Sequence, residues 1–247
     1  MDKEFTLSTV VSYWDVDRDQ RLTLGGVFKL LQEAAIKHAD LFGLGAQAMA
    51  ARGESWVLNR MAVAITRYPR YEEAVKVVTW SAGIRGFRGY RDLRIYCGGE
   101  LVVSASSLWL YLNLRTKTLV RVPPDRAAQF PVGEAEVFRP DLDKLRFTPP
   151  APDAAGSAVS LRYSDFDGNG HLNNTAYLDC LQTALARGDF SPHPAGIEIQ
   201  FMKEVAPTVE GVQIALEPRG PAIAFGVSGP EGLHAQGLVT LAAAGSP

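Results

Sequence analysis

Cysteine is scarce in this chain of 247 residues: Cys97 and Cys180 are the only two. Two cysteines cannot build a disulfide framework, and these lie too far apart in sequence to form a zinc knuckle, so free thiols in a reducing compartment are expected. Long apolar runs are missing as well. No stretch stays apolar for the roughly 18 residues that a membrane-spanning helix needs. The opening Met1-Asp2-Lys3-Glu4-Phe5 carries two acids and no apolar signal core. These absences predict a non-exported, cytoplasmic protein without stable membrane insertion. Excess charge is also absent: the formal net charge of −2 provides no general attraction to nucleic acid or to an anionic membrane, although it leaves room for a local basic patch. What remains, 47% hydrophobic and 21% charged residues, is the balance of an ordinary globular chain long enough for one large or two average domains.

The sequence repeats itself. Sliding it by 150 positions places Tyr13 on Tyr163, Asp15 and Asp17 on Asp165 and Asp167, Leu22 on Leu172, Leu31-Gln32 on Leu181-Gln182 and Ala34 on Ala184. In both copies a short β-like run (Thr9–Tyr13; Val159–Tyr163) leads through an acidic loop into a helical pattern. Val27, Leu30, Leu31, Ala34, Ala35, His38 and Leu41 recur at the three- and four-residue spacing of one helix face, and Tyr177, Leu178, Leu181, Ala184 and Leu185 do the same in the second copy.

After each helix the pattern changes to alternation with turn signals: Val75–Trp80, Leu93–Tyr96 and Leu101–Leu112 in the first half, and Ile197–Val205, Val212–Glu217, Ala222–Val227 and Leu233–Leu241 in the second. The expected fold class is α+β. A lone helix with an apolar face needs a sheet to bury it, so each half is read as an antiparallel sheet curled around one helix, the two packing as a pseudo-dimer. Residues 140–156, with Pro149, Pro150 and Pro152, suit a connector over the surface. This divides the chain into domains 1–139 and 157–247.

The densest chemistry lies in Ser164-Asp165-Phe166-Asp167-Gly168-Asn169-Gly170-His171-Leu172-Asn173-Asn174. Asp165-x-Asp167-x-Asn169-Gly170 fits the first half of a calcium-binding EF-hand loop, but Ala176 stands where the bidentate Glu belongs and the preceding segment reads as strand. No metal or other cofactor is therefore expected. Asn173 or Asn174 is suited to cap the following helix. Asp167, Asn169 and His171 exceed what a cap requires, and an acid, an amide and an imidazole together are the materials of general acid–base chemistry. The first copy carries Asp17, Asp19 and Arg21 at those positions, which points to one active half and one supporting half.

That segment, continued through Thr175-Ala176-Tyr177, resembles the active-site segment of acyl-acyl carrier protein thioesterases, a family with tandem hot-dog domains. Leu31–Ala35, Trp56–Met61, Arg67–Pro69 and Gly83–Arg88 resemble it too, so the likeness covers nearly the whole chain. The resemblance implies release of free fatty acid from an acyl carrier protein partner, an acyl pocket lined mainly by the N-terminal half, and catalysis by Asp167, Asn169, His171 and Glu204. In this picture Asp167 attacks or activates water, Asn169 holds its geometry, and His171 with Glu204 prepares the hydrolytic water. The family often has Cys after that Glu; here it is Val205, so no nucleophile stands at that position. Strand alternation groups Glu204 with Glu198, Gln200 and Met202 on a polar face; a bulge near the strand end would re-aim it.

Competing readings are weaker on the residues. No Gly-x-Ser-x-Gly elbow supports a serine hydrolase. Gly43-x-Gly45-x-x-Ala48 follows a helix and lacks the strand of a dinucleotide fingerprint. Hot-dog hydratases resemble Asp-x-Asn-Pro-x-His, and this chain lacks that Pro; an acyl-coenzyme A thioesterase and a non-catalytic acyl binder remain alternatives. Arg85, Arg88, Arg91 and Arg94 on alternating strand faces are read as solvated residues and not as an RNA platform, some of them joining Arg67 and Arg70 to attract an acidic carrier. A further pairing of pseudo-dimers into a homodimer is also open.

Overall fold

A computed structural model describes residues 3–242. The N-terminal half contains β1 (Glu4–Val10), α1 (Leu24–Asp40), α2 (Ala46–Ala51), β2 (Glu54–Ile65), β3 (Ala74–Arg85), β4 (Arg88–Cys97), β5 (Glu100–Asn113), the two-residue β6 (Thr118–Leu119) and α3 (Pro124–Gln129). The C-terminal half contains β7 (Gly156–Ser160), α4 (Asn174–Arg187), β8 (Gly196–Phe201), β9 (Gly211–Arg219), β10 (Ala222–Gly229) and β11 (Gly232–Thr240). Local chemistry sets these limits. The Thr23 side chain accepts the Gly26 N–H at the start of α1, and Asn173 accepts the Thr175 N–H at the start of α4. Gly98 and Gly99, at φ 59° and 86°, turn β4 into β5 in the left-handed region that a two-residue hairpin of this twist requires.

All described strands join one antiparallel sheet in the order β1-β3-β4-β5-β2-β8-β11-β10-β9-β7, with β6 added beside β5. Each half contributes the same five-strand order, mirrored about the central β2–β8 pair. Both long helices lie on one face, α1 against α4, and a single apolar core runs beneath them from Val11 to Val239. This is the double hot-dog expected: two helix-and-sheet units fused edge to edge. Gly25 permits the helices to cross closely, since a Cβ there would lie 1.9 Å from the Asp179 carboxylate. The Leu24 N–H at the start of α1 is capped by the Gln182 side chain of α4 at 3.0 Å.

The segment between the halves does more than connect them. It crosses the outer face of β2 and β5, where Leu142 is buried with Ala62 and Leu108. The Arg60 guanidinium donates to the Leu142, Asp143 and Leu145 carbonyls there. Just upstream, the buried Asp92 carboxylate accepts from Ser106 Oγ, from the Phe138 N–H at 2.7 Å and from Arg94 at 2.8 Å.

The strand arginines need correction. Arg91 is not solvated; it points inward and is 6% exposed. Arg94 is held by Asp92, and Arg67 by Glu73 at 2.8 Å. Arg67 and Arg70 lie in or beside the β2–β3 connection, at the opposite end of the sheet from the β3–β4 hairpin that carries Arg85 and Arg88.

Two measurements follow from the packing. Gly237 faces the Glu198 carbonyl oxygen, which an added Cβ would meet at 2.0 Å. Gly237→Ala is expected to lower stability by about 2 kcal/mol, seen as a lower urea midpoint at unchanged slope. Cys97 and Cys180 are both buried, and burial raises both thiols, Cys180 to about 11. Because the thiolate is the reactive form, neither should react with a thiol reagent at pH 8 in the folded protein, and both should react in denaturant.

Candidate active site

The loop leading into α4 is a tight turn organised by its own carboxylate. Asp167 Oδ1 accepts the Asn169 N–H at 2.8 Å and the His171 N–H at 3.4 Å, and Oδ2 lies 3.4 Å from Asn169 Nδ2. Backbone bonds from Asp167 N–H to the His171 carbonyl and from Gly170 N–H to the Asp167 carbonyl close the turn, with Gly170 at φ 77°. Asp165 is spent on structure: it binds the Arg162 guanidinium and N–H, and its own carbonyl receives the Asn173 N–H.

Glu204 arrives from elsewhere. The expectation that strand alternation governs it is corrected, because β8 ends at Phe201 and the chain leaves the sheet. A bulge at His234 in β11 turns it: the His234 carbonyl receives both the Met202 and the Lys203 N–H, and His234 Nδ1 lies 3.2 Å from the Lys203 carbonyl. The Leu172 N–H then binds the Val205 carbonyl, clamping this turn to the acidic loop. His171 Nε2 consequently sits 2.9 Å from Glu204 Oε2, with both side chains partly exposed. Val205, immediately after, is wholly buried.

These groups line the mouth of a cavity of about 1070 Å³, large even for a small-molecule site. Asp167, Asn169, His171 and Glu204 all border it, so the structure brings the four sequence-selected residues together. Asn174, the first residue of α4, borders it too, which sets the positive end of that helix beside the acidic loop. Most of the apolar wall comes from the other half, including Ala35 and Ala39 of α1, Met49 of α2, and Trp56 and Leu58 of β2, and the C-terminal half adds Leu172, Phe201 and Met202. A second recess of about 400 Å³ along β7, β9 and β10 has no titratable side chain in its lining.

The first copy makes the same turn and closes it differently. Asp17 accepts the Asp19 and Arg21 N–H groups at 2.9 and 3.1 Å, as Asp167 does with Asn169 and His171. There, however, Asp17 Oδ2 is 2.6 Å from Nε2 of the nearly buried His193, so that carboxylate is occupied.

Sequence reasoning gave no site role to three residues that shape the site. Tyr177 borders the cavity, and burial raises its phenol far above the ordinary value, keeping it a neutral donor to the Lys203 carbonyl at 3.4 Å. Asn59, at a bulge in β2, donates to the Phe201 carbonyl at 3.0 Å and ties the N-terminal half to the end of β8. Gln32 borders the cavity where its repeat partner Gln182 caps α1; the repeat match already marked that pair. Cys180 is no nucleophile, since its thiol is pushed up to about 11 by burial.

Comparison with known proteins agrees with this geometry. Residues 2–130 match the acyl-ACP thioesterase N-terminal domain and residues 152–224 the C-terminal domain of the same family. A chloroplastic acyl-[acyl-carrier-protein] hydrolase of Cuphea viscosissima is 31% identical over 67% of this chain and 43% of its own length. A chloroplastic dodecanoyl-[acyl-carrier-protein] hydrolase of Cinnamomum camphora is 27% identical over 81% of this chain and 56% of its own. The chain thus spans about half the length of the curated relatives it matches. Its fold is that of an acyl-ACP thioesterase from Bacteroides thetaiotaomicron (TM-score 0.78, 20% identity, 96% of this chain and 97% of that one). The 12:0-ACP thioesterase from Umbellularia californica is equally close (TM-score 0.81, 20% identity, 97% of each chain). With both family domains matched in order across a duplicated hot-dog fold, the chain belongs to the acyl-ACP thioesterase family.

Proposed function

We propose that this protein hydrolyses acyl thioesters and that its substrate is presented by an acyl carrier protein, so that free fatty acid is released. The observation that carries this reading is the 2.9 Å pair of His171 and Glu204 beside the Asp167 turn, at the mouth of a large cavity with apolar walls. Domains 1–139 and 157–247 then divide the work: the first holds the acyl chain, the second the reacting groups. The names of the matched relatives support the carrier-bound substrate.

The side chains fit the chemistry. Glu204 accepts the Nε2 proton of His171, which leaves Nδ1 as the basic nitrogen. Nδ1 takes a proton from water as the water oxygen attacks the thioester carbonyl; the tetrahedral oxyanion collapses, the carbon–sulfur bond breaks, and the proton passes to the leaving thiolate. The dipole of α4 favours the developing negative charge. Asp167, with one oxygen already held by two backbone N–H groups, is better suited to orient water or substrate than to attack, and Asn169 braces it. A reducing, cytoplasmic setting agrees with two free buried thiols, and among the described residues no helix is long and apolar enough to cross a membrane.

Thiol release from carrier and coenzyme A thioesters of graded chain length tests the reading. His171→Ala should lose about 10²–10⁴-fold in kcat, with Glu204→Gln and Asp167→Asn also impaired. Turnover that ignores all three substitutions, or none from any thioester, would turn attention to a hydratase or an acyl binder. Carrier docking has its own check. Arg85 and Arg88 flank the β3–β4 turn next to the cavity-lining Ile84 and Gly89. Reversing both charges should raise KM for carrier thioesters about tenfold or more while sparing coenzyme A thioesters.

A further inference from the structure

Gln32 and Gln182 stand at the same position of the repeat, and the two halves use them differently. In the C-terminal half the Gln182 side chain is held at both ends. Its Nε2 donates to the Pro192 carbonyl at 2.9 Å, in the loop after α4, and its Oε1 accepts the Leu24 N–H, the first of α1, at 3.0 Å. Leu24 is the repeat partner of Asn174, the first residue of α4. The pseudo-twofold relation between the halves therefore brings Gln32 to the Asn174 N–H, where the acidic loop enters its helix.

The corresponding bond is not made. Among the described residues neither the Gln32 side chain nor the Asn174 N–H has a hydrogen-bond partner in the protein. The cause lies in the segment that follows each helix. After α4 the chain runs directly to β8 and sets the Pro192 carbonyl against Gln182. After α1 it forms α2, whose Met49 and Ala50 line the cavity, and no carbonyl holds the Gln32 amide. Gln32, partly buried, borders the cavity together with Asn174, Asp167, Asn169 and His171.

The site lacks a donor that this amide can supply. As water attacks, the carbonyl π pair moves onto oxygen, and the charge that develops there is best met by N–H groups already in place. Of the side chains at the mouth, Asp167 and Glu204 are acceptors, His171 serves as the base, and the Asn169 amide faces Asp167. The Gln32 amide carries two N–H hydrogens that the protein leaves uncommitted.

We propose that Gln32 is a further catalytic residue: its Nε2 donates to the thioester carbonyl oxygen beside the Asn174 N–H, and the bond strengthens as that oxygen becomes the tetrahedral oxyanion. This role rests on the proposed function, which sets the reacting carbonyl at His171. The half that holds the acyl chain then also takes part in the chemistry.

The test compares hydrolysis and thermal unfolding of Gln32→Met and of its repeat counterpart Gln182→Met with the wild type and His171→Ala. Gln32→Met should lower kcat about 10²–10³-fold while KM and the thermal midpoint stay unchanged, as expected when a bond made only in the transition state is lost. Gln182→Met, which uncaps α1, should show the opposite pattern, a lower midpoint with kcat retained. Binding supplies a readout separate from turnover. A trifluoromethyl ketone analogue, whose hydrate mimics the tetrahedral intermediate, should bind Gln32→Met about 10²-fold more weakly, whereas a thioether analogue without the carbonyl oxygen should bind as it does to the wild type. Gln32→Glu, which keeps the shape and replaces the donor by a negative charge, should lose at least as much activity and serves if the methionine variant does not fold. Full kcat in a folded Gln32 variant, with His171→Ala inactive, overturns the role and leaves the hydrolase reading standing. So does a loss accompanied by a lower midpoint and by weaker binding of both analogues, because a merely structural residue behaves in that way. A wild type that hydrolyses no thioester removes the hydrolase reading and the role of Gln32 with it.

Discussion

The pairing of β2 with β8 governs the rest of the molecule. Five residue pairs, from Ala64 with Gly196 to Arg60 with Gln200, convert two half-sheets into one. The pairing stops where β2 bulges at Asn59 and β8 ends at Phe201. Beyond that point β2 continues along β5, while the C-terminal chain turns out of the sheet toward His171. The cavity mouth lies at this divergence, with Asn59 donating to the Phe201 carbonyl across it. An antiparallel pair satisfies its backbone groups only while it stays in register, so the end of the pairing is also where backbone and side chains become free to face a ligand.

Duplication explains why the site is assembled from both halves. Each copy builds the same carboxylate-centred turn before its helix, but Asp17 is engaged by His193 and Asp167 is left at a cavity. Gln182 caps α1 across the helix pair, whereas Gln32 borders the cavity. In a fused pair each half can lose one set of contacts to stability and leave the other for chemistry, a freedom that a symmetric homodimer does not have.

The two faces of β4 show how differently a buried charge can be treated. Asp92 on the outer face is supplied with three donors, one of them the cation Arg94, by the segment that crosses from one half to the other and by its own strands. Such a group holds its surroundings in place, because removing a partner leaves a charge uncompensated. Arg91, one residue earlier and facing inward, receives an imidazole, a hydroxyl and an aromatic ring, none of which neutralises it.

Much of this was legible in the order of the residues, because it is decided by near neighbours. The repeat exposed the two units; the period change from helix to strand exposed α+β; Asn173 or Asn174 reads as a cap from residues adjacent in the chain. The grouping of Asp167, Asn169 and His171 is likewise confined to one turn. Glu204 was marked by resemblance, but its approach to His171 depends on a bulge at His234, thirty residues further along the chain. The burial of Arg91 and of Leu142 was not legible, since a side chain on an alternating strand has its surroundings chosen by whichever strand, helix or connecting segment covers that face. Sequence determined the units and the chemistry each could carry; tertiary structure alone decided which carboxylate would stay open, which arginine would be enclosed and where the two halves would part to form a cavity, because these depend on contacts between residues far apart in the chain.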